Sequence, residues 1–342
     1  MGGERSLPAC RGAVPGRPCD KLEIITIVGP VMIITAAIKR KFCSQGENMD
    51  NVLKSINYDT ALIFEGGGMR ACYTAGFVSM LLEHGIYLNY AAGISAGATH
   101  AVNYLSRDRV RARRSFTDIV LDPGFGDVSS WIKGEGFFNA DNIYSKMPRE
   151  DGFLPFDFES FQRNEAECVI GSFLRYKGQM VYWKKKDYTD IDDLIIRVRA
   201  SSTVPYLMPE TEIDGEIYVD GGLDSGIPLE AAERDGYGRF VFVLTRERGF
   251  RLDPIPQFRL MDRFLDRHPI EKEALTTRHL RYNAVLDRIS RLEEEGRAFV
   301  FYPEEIDLTM MDRDREKLLS QYLAGHDQAI RQLPRLLEFL EA

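Results

Sequence analysis

The sequence predicts an α/β fold built round a parallel sheet, and three observations carry that reading. Strand, helix, strand and helix follow one another between Ala61 and Leu105, the order of a βαβ unit. Arg239–Leu244 reads RFVFVL, a continuous apolar run such as a strand covered on both faces requires. The first two strands each stop at glycines, Gly66-Gly67-Gly68 and then Gly93 and Gly97, where a strand must turn sharply into a helix.

The elements follow in order. Ala61–Glu65 is a short apolar strand. Arg70–His84 carries apolar residues at Phe77, Met80, Leu81 and Leu82, with Gly85 where a helix ends. Tyr87–Ala92 is the second strand, Gly93–Gly97 a sharp turn and Ala98–Leu105 a helix. Glu167–Leu174 and Gln179–Lys184 form a strand pair through Lys177-Gly178. Asp190–Ala200 is a helix with acids in its first turn, and Glu216–Val219 a strand ending at Asp220-Gly221-Gly222. Beyond Pro254-Ile255-Pro256 the chain is helix-rich: Glu271–Gly296, a strand at Ala298–Tyr302, then two closing helices. The expected organisation is a leader over 1–48, a main α/β domain over 59–250 and a helical region over 254–342 packed on it.

Composition bounds the function. At 342 residues the chain is long enough for two domains or one large one, and 44% hydrophobic with 28% charged residues is ordinary for a globular protein. A net charge of -8 argues against a nucleic-acid partner. The five cysteines, Cys10, Cys19, Cys43, Cys72 and Cys168, show no C-x-x-C spacing, so reduced thiols in the cytoplasm are expected. No metal-ligand spacing is found, and no metal or other cofactor is expected. Residues 1–48 differ from the rest, with seven Lys/Arg against four acids and an apolar run from Ile24 to Ile38 broken by Pro30. Such a run is short for a membrane span, which needs about 20 residues. A weak signal anchor, a buried extension and translated sequence upstream of a natural start at Met49 compete, and the third is expected.

Three motifs carry chemistry. Gly93-Ile94-Ser95-Ala96-Gly97 is a G-x-S-x-G between strand and helix, the setting that exposes a serine on a strained turn. Gly66-Gly67-Gly68-Met69-Arg70 bares backbone N–H groups with no side chain in the way, as an oxyanion hole requires. Its rival reading, a dinucleotide fingerprint through Gly66, Gly68 and Ala71, needs an acid near the end of the second strand, and none is there. Asp220-Gly221-Gly222 ends a strand with a carboxylate. A serine triad would also need a histidine, for which His268, His279 and His326 are the candidates and His268 the best placed. Arg107, Arg109, Arg111, Arg113 and Arg114 read as a solvated helix face, with contact to anionic head groups as the alternative. Lys184-Lys185-Lys186 reads as a polar loop, while Phe125, Trp131, Phe137 and Phe138 suit either a lid over the site or the core.

Taken together, these motifs resemble the patatin-like phospholipase family: Gly66-Gly67-Gly68-Met69-Arg70, then the motif round Ser95, then Asp220-Gly221-Gly222. Ala200-Ser201-Ser202-Thr203-Val204-Pro205-Tyr206-Leu207-Met208-Pro209 is similar to the family's Ala-Ser-x-x-x-Pro-x-x-x-Pro stretch. The resemblance implies a three-layer α/β/α fold with a mostly parallel sheet, and lipid acyl-ester hydrolysis by a Ser–Asp dyad. Ser95 would be the nucleophile and Asp220 the base, with Gly66, Gly67, Gly68 and Arg70 round the oxyanion hole and Gly93, Gly97, Gly221 and Gly222 as motif glycines. It implies a lipid or acyl-ester partner and an enzyme in the cytoplasm with peripheral membrane contact. A Ser95-Asp220-His268 triad and a non-catalytic lipid- or nucleotide-binding protein on the same fold are the alternatives. The leader and the region after 250 have no residue-level match to the core family.

Overall fold

An eight-stranded sheet organises the molecule. Five strands run parallel in the order β3-β2-β1-β7-β8: β1 (Thr60–Phe64), β2 (Tyr90–Ile94), β3 (Glu167–Leu174), β7 (Arg239–Val243) and β8 (Ala298–Phe301). Three more, β4 (Gln179–Trp183), β5 (Thr211–Ile213) and β6 (Glu216–Asp220), extend it antiparallel from β3. The computed structural model describes residues 53–57, 59–255 and 266–342, and these belong to one compact unit. Expectations for 1–48, and for Pro256, lie outside the described residues.

Period-two alternation explains why the central strands are apolar throughout. In β1, Leu62 and Phe64 face one side with Val241 and Val243 of β7 and Phe299 and Phe301 of β8. Ala61 and Ile63 face the other side with Phe240, Phe242, Ala298 and Val300. The first face is covered by α1 (Ala71–Glu83), α2 (Ala96–Leu105), α3 (Arg109–Thr117), α6 (Ile191–Ser201) and α9 (Arg315–Glu341). The second is covered by α7 (Leu229–Arg234) and α8 (Pro269–Glu294). Two short helices, α4 (Val128–Ile132) and α5 (Phe158–Arg163), lie in the connection between α3 and β3. Each fully buried aromatic of these layers contributes about 1.5–3 kcal/mol.

The two closing helices expected after β8 are one helix, α9, with Pro334 inside it. Proline removes one backbone bond from a helix. A buried stripe from Leu318 through Ala329 to Leu336 holds the segment continuous across that gap. Where α9 crosses α1, Gly76 and Gly325 face the opposite backbone, and a Cβ on Gly325 would collide with the Tyr73 carbonyl.

Candidate active site

The site forms because β3 is shared. β2 pairs with β3 up to Ile94 opposite Gly171, where the chain turns away at Ser95. One residue further along the same side of β3, Ser172 pairs with Asp220 of β6, while β4 occupies the other side. Ser95 and Asp220 therefore arrive from opposite directions at adjacent positions. The Ser95 side chain lies close enough to the Asp220 carboxyl to favour its ionised form.

The turn at Ser95 carries strain. Its φ of 57° and ψ of -126° lie where non-glycine residues rarely go, a cost of roughly 1–3 kcal/mol that the surroundings must hold. Gly93 and Gly97 let the chain pass, since a Cβ on Gly97 would collide with the Phe64 carbonyl and one on Gly93 with the Gly97 carbonyl. Ser201 supplies the hold. The end of the β2–β3 ladder leaves the Ser95 N–H and the Gly171 carbonyl without each other. The Ser201 hydroxyl, fully buried at the end of α6, accepts from Ser95 N at 2.8 Å and donates to Gly171 O at 2.5 Å. The helix after Ser95, α2, points its N-terminus at the site, which favours negative charge there.

Asp220 is 7% exposed. Burial pushes its carboxyl above the usual carboxylate range, opposed by bonds from Ser95 and the Gly222 N–H and by the nearby Arg278 guanidinium. The Gly222 N–H donates to Asp220 Oδ1 at 2.6 Å, and Gly221 packs against Ile94 and Met180. Arg278 comes from α8 and donates through Nε to the Gly222 carbonyl.

The glycine loop after β1 lies against the serine: a Cβ on Gly66 would sit 3.2 Å from Ser95 Cβ. The loop is pinned by Glu65, whose carboxylate accepts from Thr245 N at 2.6 Å and Tyr282 Oη at 2.7 Å. Not all the expected donors stay free. Gly66 N gives its hydrogen to Gly226 O, Met69 N to Met310 O and Arg70 N to Gly67 O, so the Gly66 and Arg70 N–H groups are used inside the fold. Gly67 and Gly68 keep N–H groups with no partner among the described residues. A Cβ on Gly67 would meet Thr245 Oγ1 at 2.7 Å. Arg70 is pushed down to about 10 by burial, with Arg246 and Arg278 adding to the effect.

None of the five histidines reaches the pair. His268 lies tilted against Tyr176 with ring centroids 6.0 Å apart, His326 pairs with Glu83 at 2.8 Å, and His279 bonds the Thr276 carbonyl. His100 bonds Thr74 and Ala71 O inside the core, while His84 lies near Glu83 and His326. The arginine-rich segment is not one solvated face either. Arg109 pairs with Glu83 and Arg114 with Asp118, whereas Arg111 turns inward.

A cavity of about 1070 Å³, mouth included, opens beside Ser95 between Ala96, Thr99 and Val102 of α2 and Phe125, Leu154 and Met310. Phe125 and Phe138 both line it. Trp131, half exposed, donates from Nε1 to Tyr206 O. Sequence reading missed Glu65, Thr245, Arg278, Tyr282 and Met310, each of which acts across a long chain separation.

A sheet whose parallel strands deliver a strained serine and a glycine loop, and whose antiparallel β6 brings a buried carboxylate beside them, defines the class to which comparison then gives a family. The model for patatin-like phospholipase matches residues 62–233, half of the chain, and the chain belongs to that family. The mixed, mostly parallel sheet with helices on both sides and a helical C-terminal region is its fold. A second model, for a domain of unknown function (DUF6363), matches residues 271–341. The uncharacterized protein YjjU of Escherichia coli (strain K12) is 24% identical over 255 residues, covering 71% of this chain and 68% of that protein. The crystal structure of VipD from Legionella pneumophila aligns with a TM-score of 0.45 at 16% identity, covering 84% of this chain and 67% of that one. Among the described residues, no helix is long and apolar enough to cross a membrane.

Proposed function

We propose that this protein hydrolyses carboxylic esters of lipids through an acyl-enzyme on Ser95. The observation that carries the reading is the juxtaposition of Ser95 with a buried Asp220, beside the N–H groups of Gly67 and Gly68, which have no partner among the described residues. Ser95 Oγ attacks the ester carbonyl as Asp220 takes its proton, and the oxyanion is received by the Gly67 and Gly68 N–H groups. Collapse breaks the ester bond, and the departing alcohol leaves with the proton from Asp220. Water then attacks the acyl-enzyme, giving one proton to Asp220. The second collapse returns that proton to Ser95 and frees the acid. A carboxylate suffices as base because burial makes it more basic than an exposed one. Arg278 keeps enough positive charge nearby for Asp220 to ionise.

The acyl chain is assigned to the apolar cavity beside Ser95. Contact with a lipid surface is assigned to α4, where Val128, Trp131 and Ile132 are 58%, 50% and 76% exposed next to the aromatic residues that line the cavity. An amphipathic Trp on such a patch suits the interfacial zone. The place of action expected is the cytoplasmic side of a membrane. No observation favours a triad, since His268 has no contact with Asp220 or Ser95. The test is labelling by a fluorophosphonate probe with turnover of an aryl ester. Wild type should do both, Ser95→Ala neither, and Asp220→Asn should lose nearly all turnover while folding normally. Ester hydrolysis persisting in Ser95→Ala would refute the reading.

A further inference from the structure

One cation lies where an acyl pocket should have none. Arg111 lines the cavity that holds Ser95, amid Val102, Phe116, Leu154, Phe156 and Leu194. Its position follows from its partners. Nη1 donates to Asn103 Oδ1 and Nε donates to Leu154 O at 3.2 Å. Asn103 lies eight residues after Ser95 on α2, about 12 Å along the helix axis. The guanidinium therefore sits along the cavity wall away from Ser95, beyond the reach of the reacting carbonyl.

Its charge has no bonded counterpart, and Asp108 acts on it only through space. Both bonds go to neutral acceptors, and Arg111 forms no ion pair with any carboxylate among the described residues. Asp108, the nearest acid, spends its Oδ1 on the Arg111 backbone N–H at 2.8 Å. Nη2 has no partner among the described residues, and it is not among the buried side-chain atoms closed off from contact. The Phe156 ring, 5.0 Å from the guanidinium carbon, provides only a partial counter-charge. Burial pushes the group down to about 10, so it stays protonated at neutral pH while losing hydration. Holding a partly buried cation in an apolar pocket with no bonded anion is costly. A purely hydrocarbon pocket would be better served by methionine or leucine here.

Resting on the lipid-ester reading above, we infer that Arg111 selects acyl chains that end in a carboxylate. The ester carbonyl would lie at Ser95, the methylenes along the apolar wall, and the terminal carboxylate on Arg111 Nη2. The favoured substrates are thus esters of dicarboxylic, chain-oxidised acyl groups. The fit needs a medium chain length set by the distance from Ser95 to Asn103.

The experiment compares, on the full chain, pairs of 4-nitrophenyl esters of equal length, one acyl chain ending in methyl and its partner in carboxylate, scanned over medium lengths. At the best length the carboxylate ester should have a kcat/KM at least about tenfold above its methyl partner, the worth of one charge-assisted bond. Arg111→Met should collapse that ratio by at least the same factor, and Arg111→Lys should keep most of it. Thermal unfolding with the free dicarboxylic and monocarboxylic acids gives a second readout that needs no turnover. The dicarboxylic acid should raise Tm more than the monocarboxylic acid in wild type. A preference for the methyl ester at every length, an unaltered ratio in Arg111→Met, or equal Tm shifts from the two acids overturns the inference. If neither ester is hydrolysed, the ester-hydrolase reading fails and the Tm comparison still decides the role of Arg111. If Arg111→Met does not fold, the wild-type preferences and Arg111→Lys decide it.

Discussion

Removing one hydroxyl should loosen the nucleophile. Ser201→Ala deletes the atom that accepts from Ser95 N at 2.8 Å and donates to Gly171 O at 2.5 Å. Both stranded groups lie at a fully buried position where alanine offers no replacement. Each buried unsatisfied group costs about 1–3 kcal/mol, so the variant should lose about 2–6 kcal/mol of stability. The larger consequence falls on catalysis, because Ser95 keeps its left-handed φ only while its surroundings impose it. Displacement of about 1 Å at the reacting atom lowers turnover on the order of 10²-fold. Urea unfolding measures the first effect and steady-state hydrolysis of an aryl ester the second, with KM changing less than kcat. A stability loss below about 0.5 kcal/mol together with an unchanged kcat would refute the assignment of Ser201 as the prop of the turn.

Three further outcomes are expected. Because Asp220 must be ionised to act as base and burial raises its pKa, kcat/KM should climb with pH through a value above the usual carboxylate range. Arg278→Met removes an opposing positive charge, so this limb should move to higher pH with activity recovered above it, and a profile that only scales down would count against the role. His100 is held neutral by burial, down to about 3, so between its ordinary pKa and 3 the unfolded chain binds the proton and the folded one does not. Stability should fall as pH drops through that window, by on the order of 4–5 kcal/mol at its lower end, and denaturation of His100→Gln should show a shallower slope than wild type. Trp131→Ala with Ile132→Glu should lower turnover of vesicle-bound phospholipid by more than that of a soluble ester, and equal losses on both would remove α4 from the lipid-contact role.

Local signals made much of this legible. Strand-then-glycine punctuation marked Ser95, the glycine loop and Asp220, because each motif spans only a few residues. RFVFVL announced a strand covered on both faces. What escaped was set by long-range register. Nothing near Asp220 says that β6 takes over the side of β3 that β2 leaves, which is the arrangement that brings it to Ser95. Ser201 stood in a noticed motif, but its bond to the Ser95 backbone depends on where α6 ends. Arg278 carried no signal in the sequence because its target, Gly222 O, is 56 residues away. Gly66 and Arg70 illustrate the opposite error. A glycine-rich stretch shows how many N–H groups are bare in sequence, and only packing shows which ones Gly226 and Gly67 have already taken.

The position of β7 bears on how this catalytic unit could be shortened or transplanted. The family match stops at residue 233, ahead of the strand that lies against β1 along its whole length. A chain cut there would turn β1 into an open sheet edge, five residues of unsatisfied backbone inviting another molecule to pair. It would also release Thr245, and with it the clamp on Glu65 and the glycine loop. The segment recognisable by ancestry and the segment able to stand alone are thus different lengths, and a trimmed version should aggregate before it could be assayed.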